Sequence, residues 1–131
     1  MTSLPLLGMS GAAVAASSGA IYTSMGDGTT VNSNLYDDKE DVYLNGGPLP
    51  NASCTSGGLT SGEYYFQLTD PSGQTLLSTD GIEARRFRVA DGVIKESLGT
   101  HVVGLGKCPG AISIQLWPFD DTPNSGGEYF E

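Results

Sequence analysis

The stretch GEYYFQLTDPSGQTLLSTDGIEARRFRVADGVI, residues 62–94, decides the fold because it alternates strand-like runs with turn residues. In residues 62–69, apolar and polar side chains alternate, which is the pattern of a strand with one buried face. The Asp-Pro-Ser-Gly sequence at 70–73 carries the residues that a type I turn prefers. Asp91-Gly92, between two further apolar runs, is typical of a tight hairpin turn. The stretch therefore predicts consecutive β-hairpins.

The flanking sequence extends this pattern to the rest of the chain. Short strand candidates separated by turn residues recur at the spacing of an all-β sandwich. They lie at residues 20–25, 41–45, 62–69, 74–79, 84–89, 93–96 and 111–119. The 19 glycines and the scarcity of strong helix formers disfavour helices. We therefore expect one all-β domain, since a chain of 131 residues forms a single compact unit.

The chain is acidic, with 15 Asp and Glu residues against six Lys and Arg residues and a formal net charge of −9. A surface of this sign repels phosphate backbones and anionic lipids, so we expect no binding to nucleic acid. The sequence has no run of about 18 apolar residues, so we expect no membrane span. It also lacks the metal-binding, nucleotide-binding and nucleophile motifs of common enzymes. We therefore expect no enzymatic activity and no cofactor.

The first 26 residues carry no charged side chain. We therefore divide the chain into an N-terminal arm, residues 1–26, and a β-sandwich domain, residues 27–131. Ordering such an arm requires a receiving groove, because its small side chains gain little from burial. An extended arm can add a strand to an exposed sheet edge of a neighbouring subunit. The interface residues predicted for the arm are Leu4, Leu6, Leu7, Ala12, Val14 and Ala16.

Two other interpretations of the arm stay open. The arm can fold back on its own domain. It can also be a leader, because the apolar residues 4–7 followed by Ala-Val-Ala at 13–15 are similar to the core and cleavage site of a secretion signal. The basic region that begins such signals is missing, which weakens the leader interpretation.

Residues 59–94 resemble the Cna protein B-type domain, also called the SdrD B-like or prealbumin-like domain, of bacterial surface proteins. In that family a G-x-Y-x-[FV]-x-[VL] strand leads into a Pro/Gly turn, a second strand and the pattern F-x-V-x-x-G-x-I. The matching residues here are Gly62, Tyr64, Phe66, Leu68, Phe87, Val89, Gly92 and Ile94. The resemblance implies an Ig-like or transthyretin-like β-sandwich. It also implies an extracellular, cell-surface location and structural work in stalks, pili or adhesins.

Cys54 and Cys108 are the only cysteines, and each lies in a loop rich in Gly, Ser or Pro. An even cysteine count in a domain of the surface type predicts a disulfide between them. Its closed loop of about 54 residues would stabilise the fold by about 4 kcal/mol. The alternative is a pair of free thiols in a reducing compartment.

Two acidic clusters are candidates for a calcium site, because calcium takes six to eight oxygen ligands. Their residues are Asp37, Asp38, Asp120 and Asp121. Neither cluster has the spacing of an EF-hand, so a solvated acidic surface is the favoured interpretation and calcium the alternative.

Three arginines, Arg85, Arg86 and Arg88, lie within four residues. In an acidic protein they can pair with carboxylates of the next subunit and set its orientation. The alternative is a set of surface ion pairs within one chain. On the strand predicted at 84–89, Arg85 shares a face with Phe87 and Val89, whereas Arg86 and Arg88 share the opposite face.

Aromatic residues can line a sugar-binding surface, although such residues more often fill cores and interfaces. The candidates are Tyr22, Tyr36, Tyr43, Tyr64, Tyr65, Tyr129 and Trp117.

The sequence as a whole predicts a structural subunit of an extracellular filament or surface assembly, which polymerises with copies of itself by N-terminal strand addition. The alternative is a secreted adhesin module that binds surface glycans or proteins.

Overall fold

The computed structural model describes residues 6–7, 19–30 and 35–130. These residues form two four-stranded sheets and a short two-stranded pair. The first sheet has the order β1-β5-β6-β7, with β1 at Leu6–Leu7, β5 at Gly62–Phe66, β6 at Arg86–Ala90 and β7 at Val93–Ser97. The second has the order β2-β4-β9-β8, with β2 at Ala20–Ser24, β4 at Tyr43–Gly47, β9 at Ile112–Gln115 and β8 at Val103–Leu105. β3 at Leu35–Tyr36 pairs with β10 at Tyr129–Phe130.

The helical content of the described residues is two 3-10 turns, at Lys39–Asp41 and Ile82–Ala84. The all-β prediction is therefore confirmed. None of the helices among these residues has the length and apolar character needed to cross a membrane.

The core lies between the two sheets because apolar side chains alternate along the strands that face each other. Phe87 and Val89 of β6 are buried, whereas the intervening Arg88 is partly exposed. Tyr64 of β5 stacks on Phe87, with ring centroids 5.6 Å apart. Ile114 of β9 is fully buried on the opposite sheet.

The hairpin between β6 and β7 has the turn that its sequence predicts. Asp91 has φ of 56° and Gly92 has φ of 81°, and positive φ at both central residues is characteristic of a type I′ turn.

By contrast, the strand predicted at residues 74–79 is not formed. This segment makes only two isolated bridges, Thr69 with Leu76 and Ser78 with Phe119.

The strand β2 belongs to the sandwich although its residues lie within the predicted arm. It pairs with β4 over five residues, from Ala20 opposite Gly47 to Ser24 opposite Tyr43. Of the earlier residues, the structure describes Leu6 and Leu7, which pair in parallel with Tyr65 and Phe66 of β5. The arm residues Leu4, Ala12, Val14 and Ala16 lie outside the described residues.

Candidate functional site

A buried ionic cluster of Asp80, Arg85 and His101 lies beside the end of β9. The Arg85 side chain is fully buried, and the side chains of His101 and Asp80 are 2% and 23% exposed. Arg85 Nε donates a hydrogen bond to Asp80 Oδ1, and His101 Nε2 lies 2.7 Å from Asp80 Oδ2. One carboxylate thus contacts two basic side chains in the interior of the domain.

The chain positions Arg85 through the turn that precedes it. Residues Ile82–Ala84 form a 3-10 turn after Gly81, and the Arg85 amide donates to the Ile82 carbonyl at 2.9 Å. The guanidinium then points inward, where Nη2 donates to the carbonyls of Leu116 at 2.9 Å and Pro118 at 2.5 Å. Arg85 therefore joins the first sheet to the segment that follows β9.

The position of His101 depends on a close approach between two backbone segments. The Thr100 amide donates to the Ala84 carbonyl at 3.2 Å. A Cβ atom at Gly99 would lie 1.9 Å from that same carbonyl oxygen, so only glycine fits there. His101 is held further by the ring of Phe66, whose centroid lies 5.2 Å away in an edge-on arrangement.

Both ring nitrogens of His101 lie opposite acceptors. Nδ1 is 2.5 Å from the Gln115 carbonyl oxygen, and Nε2 faces the Asp80 carboxylate. Each ring nitrogen thus has its own oxygen partner within the protein. Because both nitrogens already face protein oxygens, His101 is not placed to remove a proton from a substrate.

The Asp80 carboxyl is ionised in this environment. Burial alone would raise its pKa, but the hydrogen bonds and charges of Arg85 and His101 outweigh burial and hold the pKa of Asp80 below its usual value. The cluster therefore places one carboxylate between the Arg85 guanidinium and the His101 imidazole.

A cavity of about 320 Å³ opens beside this cluster. Its walls are formed by Asp80, Thr100, His101, Val102, Gln115, Trp117 and Pro118. Trp117 is 42% exposed and precedes Pro118 through a cis peptide bond. The residues around the cavity thus include an exposed tryptophan, an aspartate and a threonine.

No motif in the sequence marks Asp80, Arg85 and His101 as one cluster. One signal could have revealed it: the alternation of the strand predicted at 84–89 places Arg85 on the same face as Phe87 and Val89, and an arginine on an inward face requires a buried partner.

Of the three arginines predicted to form an interface, Arg85 lies in the interior. Arg86 and Arg88 lie on the outer face of the first sheet and pair within the chain. Arg86 contacts Glu63 at 3.0 Å and Glu83 at 3.7 Å, and Arg88 contacts Glu96 at 2.8 Å. Arg86 and Arg88 therefore form surface ion pairs within one chain, which was the alternative to an interface between subunits.

Cys54 and Cys108 form the predicted disulfide, with Cα atoms 5.7 Å apart. Lys107, next to Cys108, donates to the carbonyl oxygens of Leu49 at 3.2 Å and Ala52 at 2.9 Å. The bond and these contacts together attach the loop at 48–58 to the segment before β9.

The two acidic clusters that hold the candidate calcium ligands are connected by a lysine. Lys39, next to Asp38, donates from Nζ to the carbonyl of Phe119, the residue before Asp120, at 3.3 Å. Within residues 6–7, 19–30 and 35–130, no group of three or more His, Cys, Asp or Glu side chains has the arrangement of a metal site. Burial, followed by repulsion from Asp38, Asp37 and Glu40, raises the pKa of Asp41.

The aromatic candidates for a sugar surface do not share one face. Tyr36 and Tyr64 are buried in the core, and Tyr65 donates to Glu83 at 3.0 Å on the outer face of the first sheet. Among the aromatic residues at positions 19–30 and 35–129, Trp117 is the one with a substantially exposed side chain.

Comparison with family models, with curated proteins and with solved structures gave no match to this chain.

Proposed function

We propose that this chain is a structural subunit of an extracellular filament or surface assembly, in which each subunit donates its N-terminal strand to the next. One observation supports the proposal: the edge of β5 pairs in parallel with residues 6–7 of its own chain, so this edge can receive an N-terminal strand. The assembly needs no cofactor, and the proposal assigns the protein no catalytic role.

The edge of β5 is suited to this contact because it offers backbone groups to an added strand. Leu6 lies opposite Tyr65 and Leu7 opposite Phe66. In strand addition, hydrogen bonds along the backbone supply affinity, and alternate side chains supply specificity. The same groups serve equally well for a strand of the same chain and for a strand of another copy.

The covalent length of the chain allows the strand to come from a neighbour. Twelve residues, 8–19, separate Leu7 from the first residue of β2. At no more than about 3.6 Å per residue, they can span about 40 Å, which is greater than the radius of a small domain. Exchange of an identical element between copies is a low-cost route to assembly, and an exchange that does not close produces a fibre.

The charge distribution favours donation of this part of the chain. The formal net charge is −9, yet residues 1–26 carry none of it. An uncharged strand can approach an acidic neighbour without like-charge repulsion. The disulfide between Cys54 and Cys108 is typical of proteins that function in an oxidising, extracellular environment.

Engineered cysteines can distinguish donation between copies from pairing within one chain. Leu6→Cys is placed in one batch of protein and Tyr65→Cys in a second batch that carries a different tag. The paired Cα atoms of neighbouring strands lie about 4.8 Å apart, within the range that a disulfide spans. Mixing the batches under oxidising conditions should give covalent dimers that contain both tags.

The matched control is Glu96→Cys in place of Tyr65→Cys. Glu96 is exposed on β7, at the other side of the first sheet from β1, so mixing it with the Leu6→Cys batch should give few dimers. Peptide mapping should show that Cys54 and Cys108 remain bonded to each other. Efficient bridging in a chain carrying both Leu6→Cys and Tyr65→Cys, with no mixed dimer between batches, would contradict the proposal.

A further inference from the structure

Trp117 is exposed at the mouth of the cavity beside the Asp80 cluster. It is the only tryptophan of the chain, and 42% of its surface is open to water. Val102, 56% exposed, and Pro118 line the same cavity. A large aromatic surface left in water beside a cavity offers a ligand a favourable apolar contact.

The polar groups of the cavity suit a ligand that has hydroxyl groups. A carboxylate has about four lone-pair positions, and Asp80 uses one oxygen for Arg85 and the other for His101. Each oxygen therefore keeps a position that can accept a hydrogen bond. Thr100 also lines the cavity, whereas the Gln115 carboxamide donates to the Glu40 carbonyl at 2.9 Å.

These groups are held in place before any ligand arrives. Asp80 is fixed by the buried Arg85 and His101, and His101 is fixed in turn by the Gln115 carbonyl. A site whose side chains are already ordered loses less entropy on binding. The cluster can thus present its carboxylate to a ligand at little cost.

Charge and size narrow the class of ligand. The net charge of −9 disfavours an anion. The charge of Asp80 is already balanced by the buried Arg85, which reduces the attraction for a cation. The volume of about 320 Å³ lies at the lower end of the range for small-molecule sites, about 300–1,000 Å³.

We infer that this cavity binds a neutral saccharide ring, which stacks its apolar face on the Trp117 indole and donates a hydroxyl hydrogen bond to Asp80. The inference is independent of the assembly proposed above, because the site lies at the end of β9 and does not include the edge of β5.

Because Trp117 is the only tryptophan, its fluorescence reports directly on this site. The full chain is titrated with neutral sugars (glucose, galactose, mannose and N-acetylglucosamine and their disaccharides) and is applied to a glycan array. We expect at least one neutral sugar to shift the emission with saturation, and glucuronic acid and tetramethylammonium to leave it unchanged. Absence of saturable binding to every neutral sugar in both measurements would overturn the inference.

Variants then test the contacts, with affinity measured by calorimetry. Trp117→Ala should weaken binding about tenfold, equivalent to about 1.4 kcal/mol, whereas Trp117→Phe should retain most of the affinity and guards against misfolding of the alanine variant. Leu76→Ala is the matched control, since Leu76 is 53% exposed and does not line the cavity. Affinity that survives Trp117→Ala, or that falls equally with Leu76→Ala, would also overturn the inference.

Discussion

At the scale of single residues, Asp80 is the anion that allows two basic side chains to lie in the interior. Replacing it by asparagine keeps the shape and removes the charge. Arg85 would then be buried without a counter-ion, and breaking a buried pair in this way destabilises by about 3–5 kcal/mol. Because Asp80 is 23% exposed, we expect Asp80→Asn to lower the free energy of unfolding by about 3 kcal/mol, as measured by urea denaturation.

The control for this variant is Glu96→Gln. Glu96 pairs with Arg88 at 2.8 Å on the outer face of the first sheet, where both side chains are substantially exposed. Exposed ion pairs contribute little to stability, so Glu96→Gln should change the free energy of unfolding only slightly. If Asp80→Asn and Glu96→Gln lowered the free energy of unfolding by similar amounts, burial would not distinguish the two ion pairs.

The same carboxylate predicts a dependence of stability on pH. The pKa of Asp80 is lowered in the folded state from the ordinary 3.8, so the native state favours the ionised form. Its stabilising contribution is therefore fully present above pH 3.8 and is lost as the pH falls through the lower, folded-state pKa.

Asp27 and Asp70 also have lowered pKa values, because they accept hydrogen bonds in turns, so acid destabilises the domain through these groups too. The contribution of Asp80 is isolated by comparing wild type with Asp80→Asn. Their difference in the free energy of unfolding should be largest near neutral pH and should shrink in acid. A difference that grows as the pH falls would contradict the lowered pKa of Asp80.

At the scale of elements, the cluster depends on the contact between the 3-10 turn Ile82–Ala84 and the segment before β8. Gly99→Ala would place a Cβ atom 1.9 Å from the Ala84 carbonyl oxygen. One of the two backbone segments must move, and overpacking of this kind costs about 1–3 kcal/mol. We expect Gly99→Ala to lower the free energy of unfolding, measured by urea denaturation, by this amount. We also expect a shifted His101 ring resonance in NMR spectra.

Gly81→Ala is the matched control for that prediction. Gly81 directly follows Asp80, its φ of −71° suits any residue, and no atom lies within 4 Å of an added Cβ. Its stability should be unchanged or slightly increased, because alanine restricts the unfolded chain. Equal destabilisation by the two substitutions would show that the contact at Ala84 is not the cause.

Local sequence predicted the strands and hairpins where side-chain alternation and turn chemistry agree. The strands predicted at 62–69 and 84–89 are found at 62–66 and 86–90, and the Asp91-Gly92 turn joins β6 to β7. The prediction at 74–79 was wrong because the Asp70 carboxylate accepts from the amides of Gln74 and Thr75 at 3.1 Å, which occupies donors that a strand would use. Strand β8 is short and has a glycine at its centre, so its sequence gives little signal.

The candidate site was harder to predict because its members are far apart in sequence. Asp80, His101 and Trp117 meet only when the segment before β8 and the segment after β9 are brought beside the 3-10 turn. The disulfide was predicted because cysteine has one common partner, whereas an aspartate or a histidine has many.

At the scale of the whole molecule, the acidic charge and the uncharged arm would have opposite effects on the proposed assembly. Copies with a net charge of −9 repel one another, while pairing of the arm with β5 relies on backbone hydrogen bonds. Arg86 and Arg88 are paired with acids of their own sheet, so few basic groups remain on that face to attract a neighbour. Repulsion between subunits should therefore oppose assembly, and strand addition should drive it.

This balance predicts that added sodium chloride promotes assembly. Raising the ionic strength from about 0.01 to 0.1 M shortens the screening length from about 30 to 10 Å, which weakens repulsion between subunits and leaves short backbone hydrogen bonds intact. The assembled fraction, measured by light scattering and sedimentation, should rise over this range. The same rise should occur in Arg88→Gln/Glu96→Gln, which lacks one ion pair of the outer face. If arginine–carboxylate contacts held the subunits together instead, salt would dissolve the assembly and the double variant would assemble poorly.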